Sequence, residues 1–246
     1  MAVAAVNNAE IIVGTFDVSP FTGTVSSTPG QAVEVEVPVF GGGGFMQRAV
    51  GVRSGNFGFD GYTDHASTGI AAAFTPANLG TQYGVGIAVP SSGTAPAAGD
   101  GALLGVGRLS RWMPRAASPT SAAGLSAEFA GDGAFAFGRV GAALASRTTS
   151  GLTGTAVALT GPSATQRLWA LLQVTVASGT NLVVKVQSDD NSGFTTATDR
   201  ITFSTLSAVG WERSSVAGNL ATETYWRVTA TIASGSFTFR VLFGVA

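Results

Sequence analysis

Few side chains in this sequence could carry out acid, base or nucleophilic chemistry. His65 is the only histidine, and Asp60 and Asp64 precede it closely. A hydrolase of the Ser-His-Asp kind would need His65 as its base, but the chain contains no G-x-S-x-G turn. The spacing of His65 from the two aspartates also matches no standard metal signature. A loop or capping role for His65 is therefore favoured, and no catalytic or metal-ligating residue is predicted.

A second acidic stretch, Asp189-Asp190-Asn191-Ser192-Gly193, gathers oxygen donors beside a glycine that permits a sharp turn. It lacks the alternating ladder and the later glutamate of a calcium-binding loop. A turn held by Asp and Asn side chains is favoured over a cation site. Neither Gly84-Val85-Gly86 nor Gly105-Val106-Gly107 completes a dinucleotide-binding motif, so no cofactor is predicted.

Four aromatic residues could form a sugar-stacking face if they were exposed together: Trp169, Trp211, Trp226 and Tyr225. Trp169 and Trp226 lie within strongly apolar runs, which favours core packing for both. Trp211 has polar neighbours and is the tryptophan for which a surface role is expected.

The composition favours an all-β protein. Of 246 residues, 34 are glycine and only 11% are charged, which is typical of strands and tight turns rather than long helices. The net charge of -1 gives no general attraction to nucleic acid or to anionic membranes. A chain so poor in charge either hides surface in a large interface or exposes a surface of Ser, Thr and Gly, and both alternatives are open.

Three features of the sequence concern membranes, export and disulfides. No apolar run approaches the roughly 18 residues of a membrane span, so no membrane partner is expected. The start MAVAAVNNAE lacks the basic and apolar parts of a secretory signal, which favours synthesis in a cytoplasm without export by that route. The absence of cysteine excludes disulfides and zinc-thiolate sites.

The rest of the chain is organised around residues 32–64. In the run 32–37, Glu34 and Glu36 alternate with valines, which predicts a strand with one dry and one wet face. Pro38 and the four glycines 41–44 end this strand, because proline cannot donate to a ladder and glycine is costly to order. A glycine-rich loop follows, and a second strand with several glycines runs from Arg48 to Phe59.

This order of elements resembles the major tail tube proteins of long-tailed bacteriophages. The residues that carry the resemblance are Val33-Glu34-Val35-Glu36-Val37, Val39-Phe40-Gly41, Arg48 and Gly51-Val52-Arg53-Ser54-Gly55-Asn56-Phe57-Gly58-Phe59. The resemblance implies a compact β-sandwich that is repeated in stacked rings, which are hexameric in this family. It also implies a virion location in the tail and synthesis in the host cytoplasm.

Residues 168–245 resemble a small immunoglobulin-like or jelly-roll domain that is appended to phage virion proteins as an outward decoration. The stretches that carry this second resemblance are VKVQSDDNSGFTTATDRITF, TYWRVTATI and SFTFRVLFG. The Ser, Thr and Gly-rich segment 146–154 has no hydrophobic period and predicts a linker. The expected organisation is a tail-tube-like β-sandwich with one short helix in residues 1–150, the first region, and a second, smaller β-sandwich in residues 151–246, the second region.

The expected function is structural and not enzymatic. Subunits form rings through which DNA passes as cargo, without specific binding. The inter-subunit contact is expected in the loop, at Phe40, Gly41, Gly42, Gly43, Gly44, Phe45, Met46 and Arg48, where apolar anchors sit in adaptable backbone. Glu34 and Glu36 are hypothesised to face the lumen and repel DNA phosphate. The expected partners are further copies of this chain and other phage tail proteins. The alternative is a virion-surface binding or decoration module that attaches to the capsid or to a host glycan.

Local patterns add four further expectations. Residues 9–18 predict one strand with Ile11, Val13 and Phe16 in the core, and residues 19–31 predict a turn-rich segment. Residues 67–80 predict the short helix. Gly131-Asp132-Gly133 predicts a hairpin whose core would hold Phe129, Phe135 and Phe137.

Overall fold

The computed structural model describes residues 8–38, 46–62, 73–92, 94–115, 124–133 and 135–246, with the backbone alone at 27–38, 46–54 and 114–115. The described chain is almost entirely β-structure, which confirms the predicted fold class. The two short 3-10 helices are Ser19–Phe21 and Pro76–Asn78. Residues 67–72 of the predicted helix at 67–80 lie outside the described residues, and its described part contains the turn Pro76–Asn78.

The strands in chain order are β1 (Glu10–Val13), β2 (Phe16–Asp17), β3 (Thr22–Pro38), β4 (Met46–Tyr62), β5 (Gln82–Val89), β6 (Gly101–Arg115), β7 (Gly124–Gly131), β8 (Ala136–Arg147), β9 (Gly151–Leu152), β10 (Val157–Ala158), β11 (Arg167–Ala177), β12 (Thr180–Asp189), β13 (Thr198–Thr202), β14 (Gly210–Ala217), β15 (Tyr225–Ser234) and β16 (Phe237–Val245). The two longest, β3 and β4, have 17 residues each.

The strands form two sheets, and the larger one runs through both regions. Its path is β14-β11-β16-β8-β6-β5-β1-β2, with β7 pairing with β4 and β6, and β3 pairing with β4. The smaller sheet has the order β10-β15-β12-β13, with β9 beside β15. The C-terminal strand β16 therefore lies between β8 of the first region and β11 of the second region. The division into two domains at about residue 150 stays a prediction. Strand β16 pairs with strands from both sides of it.

The buried apolar side chains form three clusters. The first core belongs to the first region and is rich in aromatic rings, among them Phe57, Phe59, Phe74, Tyr83 and Phe129. The second core is built mostly from the second region and includes Trp226, Phe239 and Phe243. A junction cluster lies between them and combines Leu104 and Val140 of the first region with Leu171 and Leu242 of the second. Apolar contact is thus continuous across residue 150.

The N-terminal run 9–18 differs from its expected single strand. Gly14 has φ of +62°, a conformation that glycine adopts easily, and it reverses the chain so that β1 and β2 pair antiparallel. Ile11 and Val13 are buried as predicted, while Phe16 is half-buried at the edge of the first core. Alternation predicts strand character but does not locate such a reversal.

The turn-rich prediction for 19–31 is wrong for most of its length. Its residues 22–31 belong to β3, whose register with β4 shifts between Thr28 and Gln31. The shift spans Pro29 and Gly30, so a bulge accommodates the proline that cannot donate to the ladder.

The hairpin predicted at Gly131-Asp132-Gly133 does not form between its two flanking strands. β7 pairs with β4 and β6, while β8 pairs with β6 and β16. Phe129 and Phe135 are buried as predicted, but Phe137 is 65% exposed, so its assignment to the core is wrong. β7 and β8 instead run in the same direction, one after the other, along a single edge of β6. The reversal predicted at 131–133 is therefore wrong, because partners from distant parts of the sequence outcompeted the local pairing.

The predicted linker at 146–154 is held in place. Arg147 ends β8 and donates hydrogen bonds to the carbonyl oxygens of Phe239 (2.8 Å) and Thr153 (3.2 Å). Residues 151 and 152 form β9 and pair with β15. These contacts fix the connection between the two regions.

The face of strand β5 that contacts the second region carries glycines, Gly84 and Gly86, in place of larger side chains. A Cβ at Gly84 would lie 2.7 Å from the Trp211 ring, and a Cβ at Gly86 would lie 2.7 Å from both Arg240 Nη2 and Gln173 Oε1. Glycine at these two positions lets large side chains of β14, β16 and β11 rest directly on β5. The Gly84-Val85-Gly86 motif is therefore explained by close packing between the two regions.

We predict that Gly86→Ala lowers the free energy of unfolding by about 1 to 3 kcal/mol, because the added methyl group enters a filled, buried contact. Urea unfolding measures the change. The matched control is Gly101→Ala in the neighbouring strand β6, where the nearest atom to a new Cβ is 3.9 Å away; its stability should change by less than about 0.5 kcal/mol. Equal losses in the two variants would contradict the packing explanation.

Candidate assembly surface

Strands β3 and β4 form a long antiparallel ribbon that extends past the rest of the sheet. β4 pairs with β7 only over Asn56–Tyr62, so residues 46–54 pair only with β3 among the described residues. Nine residues at about 3.4 Å each give this part of the ribbon a length of about 30 Å. We call residues 27–38 and 46–54 the ribbon. It presents two open backbone edges.

The base of the ribbon is anchored by aromatic packing. Phe57 and Phe59 of β4 are 1% and 3% exposed, and the Phe59 ring stacks on Phe129 of β7 with centroids 6.3 Å apart. Phe74 meets both Phe59 and Phe129 edge to face, at 5.9 and 5.7 Å. These pairs add to the burial of large apolar surface. The base of the ribbon is therefore part of the aromatic first core.

The predicted lumen residues lie in the ribbon. Glu34 is the register partner of Val50, and Glu36 is the register partner of Arg48. The pairing thus places an arginine, itself a predicted contact residue, at the position opposite one of the two carboxylates. Whether Glu34 and Glu36 line a channel stays a prediction.

Two of the predicted contact residues, Met46 and Arg48, lie at the far end of the ribbon. Met46 and Arg48 belong to the start of β4, where Met46 is the register partner of Pro38. Phe40, Gly41, Gly42, Gly43, Gly44 and Phe45 lie outside the described residues. Pro38 and Met46, which flank the undescribed part of this predicted contact, are therefore paired at the end of the ribbon. The role of the contact in assembly stays a prediction.

Of the three residues considered for catalysis, the structure describes one. Asp64 and His65 lie outside the described residues, and Asp60 lies in β4 at the base of the ribbon. Within the described chain, no group of three or more His, Cys, Asp or Glu side chains could hold a metal ion. The described part also contains no helix long and apolar enough to cross a membrane.

The acidic loop at 189–193 is a turn held by its own side chains, as predicted. Asp189 accepts hydrogen bonds from the backbone N–H groups of Asn191 (3.0 Å) and Thr196 (2.8 Å), and the side chain of Asn191 accepts one from Gly193 (2.8 Å). Burial raises the pKa of Asp189, but these hydrogen bonds outweigh it and the pKa is lowered. The hydrogen bond from Asp190 to Asp189, with burial and the neighbouring charges, raises the pKa of Asp190.

The aromatic residues do not form a common sugar-stacking face. Trp226 is fully buried, as predicted, and donates a hydrogen bond to the Leu159 carbonyl oxygen at 2.8 Å. Trp169 is half-buried and lies under the Arg213 guanidinium, whose central carbon is 3.8 Å from the ring centre. Trp211 is also half-buried and packs against the junction cluster. The surface role expected for Trp211 stays untested, and part of this ring has a packing role.

Sequence reasoning missed two buried polar groups that organise the fold. Arg240 and Gln173 are fully buried, and Arg240 forms an ion pair with Glu10 at 2.7 Å. The available signal for a buried charge was the arginine within the apolar run SFTFRVLFG. The available signal for the surface that receives it was the pair of glycines in Gly84-Val85-Gly86. Nothing in either stretch alone identifies the other as its partner.

Asp100 is a third missed residue, and it shapes the loop before β6. It is 8% exposed and accepts hydrogen bonds from the backbone N–H groups of Ser91 (3.1 Å) and Ala97 (2.8 Å). Burial raises the pKa of Asp100, but the hydrogen bonds and the positive charge of Arg139 outweigh it, so that the pKa is lowered.

Comparisons with known proteins give a loose likeness to phage-type particles. No protein-family model matches the chain, and no curated protein matches it. A chain from the virion of a native gene transfer agent particle matches with a TM-score of 0.37 and 17% identity, covering 55% of this chain and 98% of that chain. The Dit protein of phage SPP1, described as a hub of the adsorption apparatus in phages that infect Gram-positive bacteria, matches with a TM-score of 0.33 and 10% identity, covering 97% and 99%. A chain of the phage p2 baseplate matches with a TM-score of 0.31 and 11% identity, covering 96% and 97%.

We predict that Asp100 contributes stability at neutral pH and loses this contribution in acid. Because the folded pKa of Asp100 is lowered, its stabilising effect is complete above the ordinary aspartate pKa of about 3.9 and disappears as the pH falls through the lower folded value. Asp100→Asn should therefore be less stable than the parent protein at pH 7, and the difference should shrink toward pH 3. Urea unfolding at the two pH values measures it.

The control for this experiment is Asp190→Asn. The pKa of Asp190 is raised, so its charge is unfavourable in the folded protein and its removal at pH 7 should leave stability unchanged or slightly higher. A loss of stability in Asp100→Asn that stays the same at pH 7 and pH 3 would show that the loop does not depend on the carboxylate charge.

Proposed function

We propose that this chain is a structural subunit of a phage-type tail, which assembles with further copies of itself into hexameric rings that stack into a tube for DNA. The observation that carries the proposal is the ribbon: it extends about 30 Å with no third strand among the described residues, and it bears the stretch that resembles tail tube proteins.

An isolated two-stranded ribbon is marginally stable in water, because two strands bury little surface. Its open edges are also templates for uncontrolled pairing. A neighbouring copy removes both difficulties when it pairs with the ribbon or packs against it. Closing the subunits into a ring leaves no ribbon unpartnered, which is why a closed ring fits this chain better than a monomer.

The second region stands on the outside of the ring in this proposal, as a decoration that meets other tail proteins. It contributes all five strands of the smaller sheet, and two of its basic side chains form ion pairs with carboxylates of the same region. Lys185 contacts Asp199 at 2.6 Å, and Arg200 contacts Glu223 at 2.8 Å. The protein works in the virion and is made in the host cytoplasm.

We predict that Phe45→Asp prevents tube formation while leaving the fold intact. Phe45 immediately precedes Met46, which begins β4 at the end of the ribbon that is distant in sequence from Phe57 and Phe59. A charge at Phe45 should therefore oppose an apolar contact between copies while the core residues stay unchanged. Negative-stain electron microscopy and light scattering at increasing protein concentration measure assembly, and circular dichroism checks the fold.

The control places the same charge on exposed apolar surface of the second region. Val209 is 53% exposed, and Val209→Asp should assemble as the parent protein does. Tubes formed equally by the parent and Phe45→Asp would contradict the contact. A parent protein that stays monomeric or trimeric at all concentrations would contradict the tube itself and favour the surface-binding alternative.

We also predict that Glu34 and Glu36 keep DNA from adhering to the channel. Tubes of the double variant Glu34→Arg and Glu36→Arg should retain a short DNA duplex during sedimentation, because phosphate binds arginine and not carboxylate. Tubes of Asp190→Arg, which changes an exposed carboxylate of the second region, should retain no more DNA than the parent. Equal retention by both variants would contradict a lumen position for the glutamates.

A further inference from the structure

Strand β16 belongs to both regions at once. Its residues Phe239, Val241 and Phe243 are fully buried in the second core, and its backbone pairs with β11 of the second region. On its other side it pairs with β8, the last strand of the first region. β16 is therefore an interior strand of the larger sheet, whose opposite end is formed by β1 and β2.

Arg240 of β16 connects this strand to the beginning of the chain. Its Nη1 donates to Oε1 of Glu10 (2.7 Å) and to the Glu10 carbonyl oxygen (3.1 Å). Its Nη2 donates to the Gly86 carbonyl oxygen (2.7 Å) and to Oε1 of Gln173 (2.8 Å). Its Nε donates to the same Gln173 oxygen at 3.0 Å. Every N–H of a guanidinium has a partner in this arrangement, and the partners come from both regions.

Gln173 completes the connection from the second region. Its side-chain Nε2 donates to the carbonyl oxygens of Ile12 (3.0 Å), Gly14 (3.1 Å) and Gly84 (3.1 Å). The buried guanidinium and amide thus satisfy backbone carbonyls of β1, β5 and the turn after β1. Separating the two regions would leave these groups either in contact with water or buried without partners, and the latter is costly.

We propose that β16 and the Arg240-Gln173-Glu10 network couple the two regions into one cooperative folding unit, so that the first region is not stable until the last strand of the chain has been added. Each region has its own core, so the two regions would unfold separately if the pairing of β8 with β16, the junction cluster and the network did not join them. The network opposes this because its hydrogen bonds cannot be kept by either region alone. As a consequence that rests on the proposed function, the ring-forming region cannot assemble before β16 has been synthesised.

Native-state hydrogen exchange of the full chain, read by mass spectrometry in low urea and at a concentration where light scattering shows no assembly, tests the coupling. In the parent protein, the slowest amides of the first core (in β1 and β5) and of the second core (in β12 and β15) should share one exchange rate and one urea dependence. In Arg240→Leu, the slowest amides of the first core should exchange at least about tenfold faster than those of the second core, because β16 stays with the second core.

The control is Arg200→Leu, which removes an arginine whose ion pair with Glu223 and hydrogen bond to Ser188 lie entirely within the second region. A cooperative unit should respond with equal acceleration in both cores, since its two regions still open together. This control separates coupling from a general loss of stability. Glu10→Gln gives a milder second variant, with a smaller split in the same direction, in case Arg240→Leu does not fold.

Two results would overturn the proposal. The cores of the parent protein could exchange at clearly different rates, which would show that the regions open independently. Alternatively, Arg240→Leu and Glu10→Gln could keep the two cores at equal rates, as Arg200→Leu should, which would show that the network does not couple them. Neither result depends on tube formation, so the proposed function and the coupling can fail separately.

Discussion

The buried guanidinium of Arg240 is the interaction on which the rest of the structure depends. Burying an unpaired charge is so costly that the fold must supply a partner for each donor, and the partners here are Glu10, Gly86 and Gln173. This requirement fixes how closely β1 and β5 approach β11 and β16. It also explains why β5 carries glycine at positions 84 and 86, since a side chain at either would occupy the space of the network or of Trp211.

The sequence predicted the kind of structure well and its connectivity poorly. Alternation in runs such as 32–37 and 224–232 indicated strands because the side-chain period of a strand is local. The insertion of β16 between β8 and β11 was not predictable, because alternation carries no information about which distant strand becomes a neighbour. Pro29 was misleading for a similar reason: a proline indicates a turn locally, but the bulge that accommodates it depends on the partner strand β4.

At the candidate assembly surface, too, local strand structure was predictable from the sequence and distant strand pairing was not. The alternation of Glu34 and Glu36 with valine predicted a strand, and the glycines after Pro38 predicted its end; β3 does end at Pro38. The length of the ribbon beyond the sheet was not predicted, because it depends on where β7 stops pairing with β4 at Asn56. Phe137 shows the converse case, in which a strongly apolar residue is exposed because it lies on the solvent face of β8, opposite the face of the buried Ala136.

The anchoring of the ribbon and the coupling of the two regions have a joint consequence for assembly. The ribbon leaves the first core through Phe57 and Phe59, and that core shares its sheet with β8 and, through β8, with β16. A partner that orders the ribbon stabilises the folded state by mass action. Because the two regions are proposed to open together, this stabilisation extends to the second region, although no contact to a partner is needed there. In the proposed ring, a subunit built in this way gains stability throughout, and its proposed outer decoration is stabilised by contacts made at the ribbon.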